Sequence, residues 1–227
     1  MPNANNRVDP WASPLLRWAG SKRQLLPRLM PLVPNECRRY FEPFVGSGCL
    51  FFALRPDRAV LGDLNSELMS AYSALAAHPR LLHDAVVRMP NTSAFYYQLR
   101  SSIPASSPLE KAARFVYLNR FSFNGVFRCN RAGWFNVPRG TQTGKVPEVN
   151  RFFRCSYALR NAELRVGDFE GCLSDASRGD FVYLDPPYAK KNARYRGEYG
   201  YGSFKVADID RLFQVLTELD RRGVKFL

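Results

Sequence analysis

Acid is scarce in this sequence relative to base. Its 227 residues carry 20 Asp and Glu against 33 Lys and Arg, a formal net charge of +13. An excess of that size keeps any protein soluble, but it also suits a polyanionic partner. The distribution favours the second reading. From Lys111 to Arg151 the basic residues are Lys111, Arg114, Arg120, Arg128, Arg131, Arg139, Lys145 and Arg151, and the one acid is Glu148. Phe121, Phe123, Phe127, Trp134 and Phe135 are interleaved with them. Positive charge mixed with aromatic rings matches the phosphates and bases of a nucleic acid.

Other absences narrow the class further. The five cysteines, Cys37, Cys49, Cys129, Cys155 and Cys172, are odd in number and include no C-x-x-C pair. They suggest neither a disulfide framework nor a zinc site. Reduced thiols in a cytoplasmic protein are the expectation. No cluster of His, Cys and carboxylates has ligand spacing, so no metal is expected. Met1 to Trp11 is polar and rich in Pro and Asn, without the apolar run of a signal peptide. No stretch is long and apolar enough to span a membrane. Internal repeats and low-complexity tracts are missing as well.

What is present reads as one globular unit with an elaboration, since 46% of the residues are hydrophobic. Residues 1–13 are expected to be a disordered lead-in, after which Ser21 is placed to cap a helix toward Leu32. A strand over Arg39 to Glu42, a glycine loop, a helix over Cys49 to Leu54, a second strand over Ala59 to Gly62 and a helix over Glu67 to Ala77 follow. This alternation predicts a parallel α/β sheet. From His78 to Asn119 the pattern is helical and broken by prolines. Arg120 to Gly144 loses helical period and predicts turns and a hairpin. Val149 to Asn161 is helical again. Strands follow at Leu164 to Val166 and Phe181 to Leu184. Ile209, Leu212, Phe213, Leu216 and Leu219 mark one helix face, and Val224 to Leu227 begins a fifth strand. The reading is therefore a catalytic domain of residues 14–77 and 162–227 interrupted by a subdomain of residues 78–161.

Two constellations carry chemistry. The first is Phe41-Glu42-Pro43-Phe44-Val45-Gly46-Ser47-Gly48, a tight turn after a strand. Glycines there serve any left-handed turn, or a dinucleotide. The full G-x-G-x-x-G is incomplete because Phe51 replaces its third glycine. Asp63, at the end of the second strand, could accept both hydroxyls of a ribose, which fits a nucleoside-containing ligand without a pyrophosphate. The second is Asp185-Pro186-Pro187-Tyr188, directly after an apolar strand. Two prolines terminate any strand, but they also leave a rigid backbone carbonyl beside the Asp carboxylate. Two converging acceptors suit an exocyclic NH2 group, and the Tyr ring could stack on a base.

In order along the chain, Leu16 to Lys22, Glu42 to Gly48, Asp63-Leu64-Asn65, Tyr117 to Gly125, Phe135 to Pro138 and Asp185 to Tyr188 resemble the motifs of the Dam-type DNA adenine-N6 methyltransferases. The resemblance covers nearly the whole chain from Leu15. It implies a class I, Rossmann-like S-adenosylmethionine-dependent methyltransferase sheet with a helical and hairpin insertion that recognises DNA. It implies S-adenosylmethionine as methyl donor, double-stranded DNA as partner, a monomer, and the cytoplasm of a bacterium or a phage host. By the same resemblance Trp18, Lys22, Phe44, Gly46, Gly48, Asp63, Asp168, Phe169 and Asp185 bind the cofactor. Asp185, Pro186, Pro187 and Tyr188 hold the target adenine. Arg120, Asn124, Val126, Arg128 and Pro138 contact DNA, with Arg128 on a guanine edge and Val126 as an apolar wedge.

The implied reaction is direct methyl transfer to the N6 amino group of a flipped adenine, within GATC. Trp134 and Arg139 depart from the most familiar members of the family. Two alternatives accompany it: a cytosine-N4 enzyme, and a DNA-binding remnant without activity. The second arises because Dam-type proteins continue past the strand in which Leu227 lies, so that the last strands of the sheet are expected to be missing here.

Overall fold

The computed structural model describes residues 13–103, 106–130, 132–187 and 204–227. Five strands, β1 (Tyr40–Glu42), β2 (Ala59–Asp63), β3 (Ala162–Val166), β4 (Phe181–Val182) and β5 (Lys225–Phe226), form one sheet in the order β3-β2-β1-β4-β5. Every pairing in it is parallel. Successive side chains on a strand face opposite sides. Tyr40, Ala59, Leu61 and Phe181 accordingly join one hydrophobic cluster, while Phe41, Val60 and Val182 join another. The three inner strands β1, β2 and β4 are buried nearly throughout, as a sheet covered on both faces requires, while the outer strands β3 and β5 carry Glu163, Arg165 and Lys225 and are more exposed.

The larger cluster is built with α3 (Ser66–Ala77), α4 (Pro79–Val87), α6 (Pro108–Phe121) and α7 (Val149–Leu159). The smaller uses α8 (Phe169–Leu173) and α9 (Val206–Arg221). Helix α6 is buried nearly all round, Arg114 and Asn119 included. That is expected of a helix enclosed by neighbours on every side. Leu82, Tyr96, Phe115 and Phe152, all from residues 78–161, lie in the same cluster as Tyr40 and Leu61. The inserted segment thus shares the core of the sheet. The remaining helices are α1 (Leu26–Leu29), α2 (Cys49–Leu54) and α5 (Ser93–Ser101). The architecture is the class I, Rossmann-like fold, and among the described strands β5 forms one edge.

Three local expectations are corrected. The helix from Ser21 to Leu32 is a chain of short turns, 3-10 at Arg23–Leu25, α at Leu26–Leu29 and 3-10 at Met30–Leu32. Pro27 and Pro31 lack the N–H that a continuous helix would need. Ser21 caps nothing there; its Oγ lies 2.9 Å from Cys49 Sγ. Helix α6 runs on through Arg120 to Phe121, so the irregular segment starts one residue pair later than its composition suggested.

Candidate active site

The chain runs outward from β1 through β2 to β3, then crosses back to place β4 on the other side of β1. Loops leaving β1 and β4 therefore diverge, and a crevice opens at the carboxyl ends of the strands. A cleft of about 530 Å3 lies there, within the usual range of small-molecule sites. Six carboxylates line it: Glu42, Asp63, Asp168 and Asp185 at or just past four strand ends, and Glu67 and Asp208 from helices. A chain with a large basic excess has gathered acid in this one place.

The glycine turn forms the floor. Gly46 has φ +46, and a Cβ added to it would come within 2.7 Å of Trp18 Cδ1. The position needs glycine both for its backbone and for the indole packed on it. Tyr72 Oη, buried on α3, donates to Gly46 O at 2.7 Å. Asp63 accepts from Gly46 N at 3.1 Å and from Asn65 N at 2.9 Å. Burial raises the Asp63 pKa, and those two N–H groups oppose the rise. Gly48 is left-handed as well, at φ +64, and serves as N-cap of α2.

One end of the cleft is aromatic. Phe44 lies 5.5 Å from Phe169 and 5.9 Å from Phe204, centroid to centroid. Arg211 stands 5.0 Å above the Phe169 ring and pairs with Asp168, Glu170 and Asp208. Asp168 caps α8 through Glu170 N. At the other end Lys22 Nζ lies 2.6 Å from each carboxylate oxygen of Asp185 and 3.0 Å from Gly20 O. Pro186 and Pro187 line the same cleft. Tyr188 lies outside the described residues.

Glu42 is a buried acid that motif reading quoted without a role. Tyr40 Oη donates to its Oε2 at 2.8 Å. Burial pushes its pKa up to about 8; the Tyr40 bond opposes this, and the charges of Asp185 and Asp63 add to it.

The segment after α6 adjoins the cleft. Asn119, buried, accepts from Arg17 N at 2.9 Å and donates to Arg17 O at 2.6 Å. This amide joins the Trp18 segment to α6. Gly125, at φ +66, lets the chain pass close to Arg17, where any Cβ would sit 2.3 Å from Arg17 Cβ. Cys129 and Phe135 then form an isolated antiparallel bridge, and Asn136 N donates to Arg128 O at 3.1 Å. Phe135 and Val137 turn into the core while Trp134 and Pro138 are exposed. Of the residues assigned to DNA, Asn124 is exposed in a left-handed conformation at φ 53. Val126 is half-buried against the core. Arg128 Nε donates to Asn136 Oδ1 at 2.8 Å. Arg120, in the last turn of α6, has its Nε buried and unpartnered, as has Arg139 in the segment that follows. Burial and the charges of Arg17 and Arg151 lower the Arg120 pKa. Among the described residues no group of His, Cys, Asp and Glu is arranged to hold a metal ion.

The pattern of the D12 class N6 adenine-specific DNA methyltransferases matches residues 18–227. The chain belongs to this family. It is 37% identical over 222 residues to the type II methyltransferase M1.LlaDCHI of Lactococcus lactis subsp. cremoris, covering 93% of this chain and 78% of that one. It is 31% identical to the DNA adenine methylase of Escherichia coli, again covering 93% and 78%. A DNA N-6-adenine-methyltransferase of Escherichia phage P1 is 33% identical over 94% of this chain and 29% of its own length.

In this family member the residues expected around a cofactor, Trp18, Lys22, Phe44, Gly46, Gly48, Asp63, Asp168, Phe169 and Asp185, do converge on one cleft: all but Gly48 line it, and Gly48 closes the turn beneath. Those expected at DNA follow in the adjoining segment, with Arg120 still on its helix. Motif reading missed Tyr72, Asn119, Phe204 and Arg211. Only Asn119 lay inside a quoted motif; the others carry no local signature.

Proposed function

We propose that this chain is a site-specific DNA methyltransferase that moves a methyl group from S-adenosylmethionine to adenine N6 in duplex DNA, within GATC. One observation carries the reading: the Asp185-Pro186-Pro187 turn opens into the same cleft as the glycine turn and Asp63. Acceptors for an amino group thus adjoin a nucleoside-sized site.

The residues fit the donor. The Phe44, Phe169 and Phe204 rings make an apolar end suited to its adenine. Asp63 offers carboxylate oxygen beside the glycine turn for its ribose hydroxyls. Trp18, Lys22 and Asp185 frame the end left for its methionine portion. When bound, S-adenosylmethionine supplies a sulfonium methyl group as electrophile. The chain's own part is to hold the amino nitrogen. The Asp185 carboxylate and the Pro186 carbonyl accept hydrogen bonds from its two hydrogens and free its lone pair, the one proton in excess after transfer passes to solvent, and Tyr188 stacks on the extruded base. Lys22 engages both Asp185 oxygens, and each oxygen keeps a further lone pair for a substrate hydrogen.

Residues 78–161 form the DNA-recognition part. Arg128 reads a guanine edge, Asn124 and Pro138 support it, Val126 is the wedge, and Arg120 meets phosphate. The test is incubation with labelled S-adenosylmethionine and duplexes with and without GATC. Label in the GATC duplex alone, abolished by Asp185→Ala with duplex binding retained, is the expected result. Label in both duplexes overturns the GATC assignment. Label surviving Asp185→Ala overturns the role of the turn, and duplex binding without label overturns transferase activity.

A further inference from the structure

Arg128 and Asn136 are direct cross-strand neighbours. Asn136 N donates to Arg128 O, the next pair inward is the Cys129–Phe135 bridge, and Asn130 N donates to Trp134 O. Strand alternation sends Phe135 and Val137 into the core, so Asn136 lies on the opposite, outer face with Trp134 and Pro138. Cross-strand residues on one face are close enough to bond through their side chains. Here Arg128 Nε donates to Asn136 Oδ1 at 2.8 Å. Among the described residues no carboxylate pairs with Arg128.

That single bond has a geometric consequence. A guanidinium has five N–H donors in a rigid plane and can grip a guanine edge through both terminal nitrogens, or side-on through Nε and one of them. With Nε committed to Asn136, the side-on grip is closed and the end-on fork is left. The bond also restrains the fork, since the backbone register places Asn136 directly opposite Arg128.

We propose that Asn136 is the positioning residue for base readout: it orients the Arg128 guanidinium end-on and thereby sets discrimination at one guanine. This rests on the reading of Arg128 as a base contact. Fixing a long side chain before binding removes an entropy cost that would otherwise weaken the specific complex.

The test measures binding preference with the full chain and a duplex library randomised over the recognised positions, so that it does not depend on methyl transfer. Arg128→Ala identifies the position that Arg128 reads. Asn136→Ala should relax the same position, lowering its preference for guanine about tenfold, a typical share of one bidentate contact. Asn136→Asp keeps the acceptor, so preference at that position should persist even as the added negative charge weakens binding to every duplex. Uniform weakening in Asn136→Ala with preference intact would overturn the proposal, because a merely structural or phosphate-contacting residue behaves that way. Equal loss of preference in Asn136→Ala and Asn136→Asp would overturn it as well. If Arg128→Ala leaves every preference unchanged, the base-contact reading itself falls and takes this one with it. That outcome is recognisable because the wild-type preference remains.

Discussion

Replacing Glu42 by Gln should make the protein more stable at neutral pH, and by more the higher the pH. Glu42 is 3% exposed and shares one short bond with Tyr40. Burial raises its pKa from the ordinary glutamate value of 4.5 to about 8. Between those two values the native state keeps a proton that the unfolded chain has already released. Stability is therefore whole below the lower value, declines as pH rises, and levels off above about 8. The limiting slope is about 1.4 kcal/mol per pH unit. From about pH 5.5 to about pH 7.5 this one carboxyl removes roughly 2–3 kcal/mol, or roughly 5–10 °C in Tm for a chain of this length. Gln is close to isosteric, still accepts from Tyr40 Oη and carries no proton to lose. The assay is urea unfolding of both proteins, free of ligand, at the two pH values. The difference between them should widen in favour of Glu42→Gln by that amount. Glu67, whose pKa burial also raises, titrates in both proteins and cancels, while the coupling of Asp63 to Glu42 is part of the measured difference. Parallel stability curves would show that Glu42 ionises as an ordinary surface acid, and the reasoning from burial would be wrong.

Further expectations concern the floor of the cleft and the opposite edge of the sheet. Gly46→Ala meets Trp18 at 2.7 Å in a left-handed backbone, a strain of about 1–2 kcal/mol before any clash; titration calorimetry should show S-adenosylmethionine binding at least ~10-fold weaker, and unchanged affinity would remove the turn from the site. Tyr72→Phe leaves the buried Gly46 carbonyl without its 2.7 Å donor and should lower unfolding stability by about 1–3 kcal/mol; an unshifted urea midpoint would contradict it. Asp180, buried at the amino edge, is held by Arg38, Arg39 and Ser177 N. Asp180→Ala should cost about 2–3 kcal/mol, less than a fully buried pair because Arg38 reaches solvent, while methyl transfer per folded molecule stays as it was; a selective loss of transfer would place Asp180 in the function instead.

Much of the sheet was legible beforehand because its signals are local. The buried strand Ala59–Asp63 reads as a short apolar run, and Ala162–Val166 reads from the alternation of Ala162, Leu164 and Val166 with charged residues, each within two residues of its expected bounds. Helix α9 was legible from its apolar spacing. Helix α6 was misjudged at its end because its hydrophobicity surrounds it, leaving no amphipathic period to follow to Phe121. The turns at Pro27 and Pro31 were misjudged for the opposite reason: an apolar run hid two missing N–H groups.

By itself the sequence determined the chemistry on offer. A proline pair after an apolar strand, a glycine turn after another and an Asp at the end of a third are each set by backbone constraints within a few residues. Only the tertiary structure decided which groups complete them. Lys22 reaches Asp185 across 163 residues. Phe204 and Arg211 close the aromatic end from beyond β4, and Asn119 ties the Trp18 segment to α6. The physical reason is the crossover at β1: it brings the ends of β1 and β4 side by side, and no spacing in the linear chain records which side chains meet there.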